Sequence, residues 1–107
     1  MKTVLIFDPD PVSREGTVKS FQRQGYRPTT CFEYDVAIEH AKTETYTSVA
    51  FHMHDTEEVQ LAMRLREMQP DAMMFVQGNS DVLAVNMDLL ISIDTIPLTY
   101  RRPKSAR

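Results

Sequence analysis

The sequence is poor in the features that most quickly classify a chain. It has one cysteine, Cys31, which excludes an intrachain disulfide scaffold and leads one to expect a cytoplasmic setting. It has only three glycines, Gly16, Gly25 and Gly78, and they are scattered, so there is no glycine-rich loop to cradle a phosphate. No apolar run nears the ~20 residues needed to cross a bilayer. Met1-Lys2-Thr3 leads straight into a strand-like run, without a signal-peptide pattern. Neither sign of charge dominates: the formal net charge of −3 gives no general pull toward nucleic acid or anionic lipid, and neither is expected as a direct partner. The local exception is Arg101-Arg102-Pro103-Lys104-Ser105-Ala106-Arg107, a basic run read as a solvated tail or the start of a linker over residues 99–107.

What is present suits one domain over residues 1–98. The chain has 107 residues, 42% hydrophobic and 25% charged, the balance of an ordinary globular protein. Val4-Leu5-Ile6-Phe7 is an uninterrupted β-rich run, as expected of a strand covered on both faces. Asp10 is placed to cap a helix that Pro11 opens, running to about Gln24 with Val18 and Phe21 inward and Gly25 as its stop. Tyr26 to Phe32 predicts a second strand, with Pro28 favouring a sheet edge. Asp35 to Lys42 predicts a helix with Ala37, Ile38 and Ala41 on one face. Ser48 to Phe51 predicts the third strand. Leu61, Leu65 and Met68 recur at helical spacing in a helix from Glu57 that Gln69-Pro70 ends. Met73 to Val76 predicts the fourth strand, and Ser80 a cap for a short helix to Met87. Leu89 to Ile93 predicts the fifth strand, broken by Thr95-Ile96-Pro97. Five strand–helix alternations predict a doubly wound α/β fold, a five-stranded parallel sheet with its last helix short or absent. In such folds ligands gather at the carboxyl ends of the strands, where the strand order reverses.

At this point the chain resembles the receiver domains of bacterial two-component response regulators. The resemblance rests on Val4 to Glu15, on Gly25-Tyr26 before a strand, on Tyr46 leading into Ser48 to Phe51, and on Ile96-Pro97-Leu98. It covers residues 2–98 and implies a flavodoxin-like fold and a signalling role. An active receiver phosphorylates an aspartate after the third strand, with Mg²⁺ held by an acidic pair after the first. A Thr or Ser after the fourth strand and a Lys-Pro after the fifth complete the site. Carried over one residue at a time, the first acidic position is Asp8 and the second is Pro9, with Asp10 one residue further on. The acceptor position is His52, and the carbonyl position two residues later is His54. The hydroxyl position is Gln77 and the lysine position Ile96, followed by Pro97, which in the family typically follows a cis bond. Loss of ligand, acceptor, hydroxyl and lysine together implies a degenerate receiver, lacking the phosphoacceptor aspartate and not an enzyme.

The reading that follows is a phosphorylation-independent signalling module working by dimerisation or protein docking. Val82, Val85, Leu89, Ile91 and Leu98 are its expected interface, and the resemblance implies an effector domain in a longer parent chain. No cofactor is expected on this reading. The rival reading is a sensor of metal, small ligand or pH. In it Asp8, Asp10, His52 and His54 hold a divalent ion, because His52 and His54 point the same way if the strand persists, or His52 titrates beside the carboxylates. The plain alternative has His52 hydrogen-bonded to Asp8 and His54 solvated. His52 as a phosphoacceptor is a further alternative.

Overall fold

Strands form at the apolar runs, and those around residues 4–7 and 48–51 are buried on both faces. In the computed structural model, which describes residues 1–98, they alternate with helices. The order is β1 (Lys2–Phe7), α1 (Pro11–Arg23), β2 (Tyr26–Cys31), α2 (Tyr34–Thr43), β3 (Ser48–Met53), α3 (Glu58–Met68), β4 (Met73–Gly78), α4 (Ser80–Val85), α5 (Met87–Ser92) and β5 (Thr95–Pro97). The sheet is parallel throughout, with strand order β2-β1-β3-β4-β5. The order reverses between β1 and β3, and β2, with Pro28, is an edge. Expectations for residues 99–107, including the short or absent last helix, lie outside the described residues.

Alternation along the strands sorts the core into two layers. Leu5 and Phe7 of β1, Val49, Phe51 and Met53 of β3, and Met74 and Val76 of β4 are buried in one cluster with Ala37, Ile38 and Ala41 of α2, Leu61 and Leu65 of α3, and Leu90 of α5. Val4, Ile6 and Ala50 point the other way and meet Phe21 of α1, with Val18, Tyr26 and Phe75 partly buried around them. Asp10 caps α1 as expected, its carboxylate accepting the Ser13 N–H at 2.8 Å, and Gly25 at φ +87° ends the turn that follows.

Two local expectations fail. Asn79, not Ser80, caps α4, its side chain accepting from the Asp81 and Val82 N–H groups. Residues 89–93 are not a strand. Met87 to Ser92 form α5, and the fifth strand is the short Thr95–Pro97. A short apolar run fits either state, and here the run's two ends decide. Asp88 stands in the first helical turn, where the helix dipole favours an acid. Asp94 adopts φ +64° and turns the chain out, while the Thr95 hydroxyl caps the Leu90 carbonyl at 3.0 Å. Arg66 Nε donates to the Ile93 carbonyl at 2.9 Å and ties the end down.

Candidate functional site

Asp8 continues the β1 alternation of Val4 and Ile6, and His52 continues that of Ala50 on β3, so both side chains emerge on the α1 side where the strand order reverses. His54 follows one step past the strand. Their positions converge: His52 Nδ1 lies 3.1 Å from Asp8 Oδ2 and His54 Nε2 lies 3.1 Å from Asp8 Oδ1. The two imidazoles stack, with centroids 4.3 Å apart and planes 18° from parallel. The carboxylate has two further donors. The Asp10 N–H reaches Oδ1 at 2.9 Å, and the Ser13 hydroxyl bonds Oδ2. Ser13 Oγ is also 3.2 Å from His52 Nδ1.

Asp8 is only 1% exposed. Burial by itself would raise its pKa, but hydrogen bonds from His52, Ser13, the Asp10 N–H and His54 together outweigh it and hold the carboxyl well below the usual carboxylate range. Its loop is fixed from both ends. The Asp8 N–H donates to the Cys31 carbonyl at 3.1 Å, and Arg14 Nη1 donates to the Asp8 carbonyl at 2.8 Å while its guanidinium lies over Phe32. Beyond β3, the His54 N–H is held by the Glu58 carboxylate from the start of α3.

The other residues singled out from the sequence fall elsewhere. Asp10 does not join the cluster, because its carboxylate is committed to the α1 cap. Pro9 is exposed between them. Gln77 sits on the same rung as His52, yet its amide donates to Thr17 Oγ1 at 2.8 Å. Ile96 and Pro97 lie within β5, opposite Phe75 and Val76, so neither stands beyond the strand as the expected lysine and proline positions would. The register, continued, brings Leu98 level with Gln77, and no cis bond precedes Pro97. His54 is not free in solvent, as the plain alternative has it, but bonded to Asp8.

Ser13 and Thr17 were not among the site candidates. Both belong to the inward stripe of α1 that ends in Phe21, four residues apart each time, and that stripe is the sequence signal for them. Thr17 is buried and donates to the Ser13 carbonyl at 3.0 Å. A polar chain thus runs from Gln77 through Thr17 and Ser13 to Asp8 and the histidines. Among the expected interface residues, Val85, Leu89 and Ile91 are exposed, whereas Val82 and Leu98 are partly buried against the two cores. As a helix, α5 sets Leu89 and Ile91 roughly 200° apart, so they do not form the single stripe that a strand would give.

Mg²⁺, which the receiver resemblance brings with it, does not fit this donor set. A hard cation takes oxygen ligands, and here Pro9 offers none, Asp10 is engaged at the cap, and two imidazoles face the one carboxylate.

A five-stranded parallel sheet in this order is the flavodoxin-like arrangement, the fold that response-regulator receivers share. Solved structures agree. The chain is similar to a response regulator from Burkholderia pseudomallei with a phosphorylated aspartic acid, a calcium ion and citrate. The TM-score is 0.76 at 20% identity, over 91% of this chain and 58% of that one. It is similar to the response regulator TrrA from Thermotoga maritima in complex with Mg²⁺ and BeF (0.74, 19%, over 97% and 90%). TrrA has also been solved with the histidine kinase ThkA. The regulatory domain of the repressor of iron transport regulator RitR, in its inactive form, is similar too (0.75, 14%, over 94% and 83%). At these identities the likeness is one of fold. No protein-family model and no curated protein matches the sequence. Among the described residues, no helix is long and apolar enough to cross a membrane.

Proposed function

We propose that this domain is a receiver-like signalling module that works without aspartyl phosphorylation, by docking to a protein partner or to a second copy of itself. The observation that carries this reading is the use of Asp8. Its carboxylate has four hydrogen-bonding partners, and two of them are imidazoles from the end of β3, where a receiver presents its acceptor carboxylate. The remaining aspartates near this end have structural duties. Asp10 caps α1, and Asp55 accepts the Glu57 N–H at 2.9 Å in the turn before α3. Among the described residues, the position matched to a receiver's lysine holds Ile96, an apolar side chain within β5. The exposed apolar side chains of α4 and α5, Val85 at 77% exposure with either Leu89 or Ile91 on opposite sides of α5, are the candidates for a docking contact. Docking fits the relatives as well, since TrrA is known in complex with a histidine kinase.

The test is incubation with acetyl phosphate and Mg²⁺, followed by intact mass and sedimentation equilibrium. The expected outcome is no added phosphate mass and an unchanged association state. Phosphate on Asp8, Asp10 or Asp55 would overturn the reading.

A further inference from the structure

We propose that Asp8, His52 and His54 form a binding site for one borderline divalent cation of the Zn²⁺ class. The inference goes beyond the docking reading and stands or falls separately from it. One ligand atom from each residue can be chosen so that all three lie within 4.8 Å of one another. Bonds of ~2.0–2.1 Å in a tetrahedral site set neighbouring ligands ~3.3 Å apart. Each histidine stands 3.1 Å from a different oxygen of Asp8, so each Asp8–His pair matches such an edge singly, and a turn of the carboxylate together with a change in the His52–His54 spacing would bring three ligand atoms onto one ion.

The supports of a metal site are also in place. Ser13 and the Asp10 N–H hydrogen-bond the carboxylate oxygens, the kind of support that orients a metal-binding carboxylate. β1 and β3 pair directly, so Asp8 and His52 rise from adjacent strands, and Glu58 anchors the backbone of His54. The histidines give the ion a reason to bind. Two stacked imidazoles, 4.3 Å apart, each turn a ring nitrogen toward the same carboxylate. A single dication serves both nitrogen lone pairs and the carboxylate at once. Two nitrogens and one oxygen suit Zn²⁺, Ni²⁺ or Cu²⁺ rather than Mg²⁺ or Ca²⁺. The side chains of His52 and His54 are 19% and 39% exposed, which leaves a path for entry and a fourth position for water.

The experiment is titration calorimetry of the full chain with ZnCl₂, NiCl₂ and MgCl₂, with Co²⁺ absorption as a spectroscopic readout of the ligand field. One Zn²⁺ per chain is expected, with Mg²⁺ binding at least about 100-fold weaker. Loss of even an outer-shell partner costs roughly 10–100-fold, so His54→Ala should weaken Zn²⁺ by about 100-fold or more and abolish the Co²⁺ visible bands. His52→Gln should do the same, and His40→Ala, on α2, should change nothing. If His52→Gln does not fold by circular dichroism, His54→Ala carries the test, since that side chain is part-exposed. Absence of Zn²⁺ binding, binding retained in His54→Ala, loss in His40→Ala, or Mg²⁺ binding as tight as Zn²⁺ would each overturn the proposal.

Discussion

The two faces of the one sheet are built to different ends. Toward α2, α3, α4 and α5, the buried strand side chains of β1, β3 and β4 are apolar, from Leu5 and Phe7 through Val49, Phe51 and Met53 to Met74 and Val76. Toward α1, the same strands carry Val4, Ile6, Ala50 and Phe75 along their middle, after Lys2 and the buried Ser48 at their starts, and end polar, with Asp8, His52 and Gln77. The helix over that face repeats the gradient in reverse chain direction: Phe21 lies over the apolar end, Thr17 and Ser13 over the polar end. One period-two alternation therefore supplies a stabilising layer from one set of residues and a chemical cluster from the next. Burial carries the first. Hydrogen bonds that satisfy every buried polar atom carry the second, and among the described residues no buried side-chain nitrogen or oxygen lacks a partner.

The largest test of this contrast sets one substitution on each face. Phe51 is buried among the helix-covered layer, and Phe51→Ala should cost about 3–5 kcal/mol through lost transfer energy and a cavity. Val18, partly buried against the smaller layer, should lose about 1 kcal/mol as Val18→Ala. Urea denaturation of both variants measures the difference. Equal losses would break the comparison and make α1 as much a core helix as α3.

A smaller effect is expected where the faces meet at the strand ends. Gly78 lies opposite Met53 on the last rung of β3 and β4, with φ +157°, and an added Cβ would stand 2.5 Å from the Met53 carbonyl oxygen. Backbone must move to admit it, so Gly78→Ala should cost about 1–3 kcal/mol. The shift would also reach His52 and His54, which flank Met53, and their imidazole resonances should move in NMR spectra. A native-like midpoint with unmoved histidine signals would show that the end of β3 is softer than its position in the sheet implies.

Much of this was legible in the sequence, because strands and helices with a strong apolar period declare themselves. β1, α1 with its Asp10–Pro11 start, the Gly25 stop, the Pro28 edge and the inward Ala37, Ile38 and Ala41 all follow from local rules. Alternation put His52 and His54 on one side, and the carboxyl ends of the strands put Asp8 near them. What was not legible depended on tertiary contacts. Residues 87–92 carry a short apolar run that suits a strand as well as a helix, and the choice was made by Asp94, Thr95 and Arg66 at its end. Asp10 had two plausible duties, and the nearby helix N-terminus took it. Gln69 looked like no more than a helix stop. Its buried amide in fact accepts the Tyr46 N–H at 2.9 Å and donates to the Ala41 and Glu44 carbonyls, tying the α2–β3 connection to α3.

The smallest expected effect separates the faces by pH. Cys31 ends β2 on the rung of Phe7, one residue before Asp8, but its side chain points into the helix-covered layer. Asp8, on the polar side, is held ionised. Burial pushes the Cys31 thiol up to about 11, against a partial pull downward from the Arg14 guanidinium. The sign follows from linkage. The folded chain holds the thiol proton more tightly than the unfolded chain, whose cysteine titrates near roughly 8.5. The resulting stability is complete below the unfolded value and is lost as the pH rises through about 11. At pH 8 the native thiol should react with a disulfide reagent at least about 100-fold more slowly than the unfolded chain, since the thiolate is the nucleophile and the group is 3% exposed. Reaction at the unfolded rate under native conditions would place Cys31 on the accessible side of the sheet end. The assignment of chemistry to one face and packing to the other would then fail at the rung where the two stand closest.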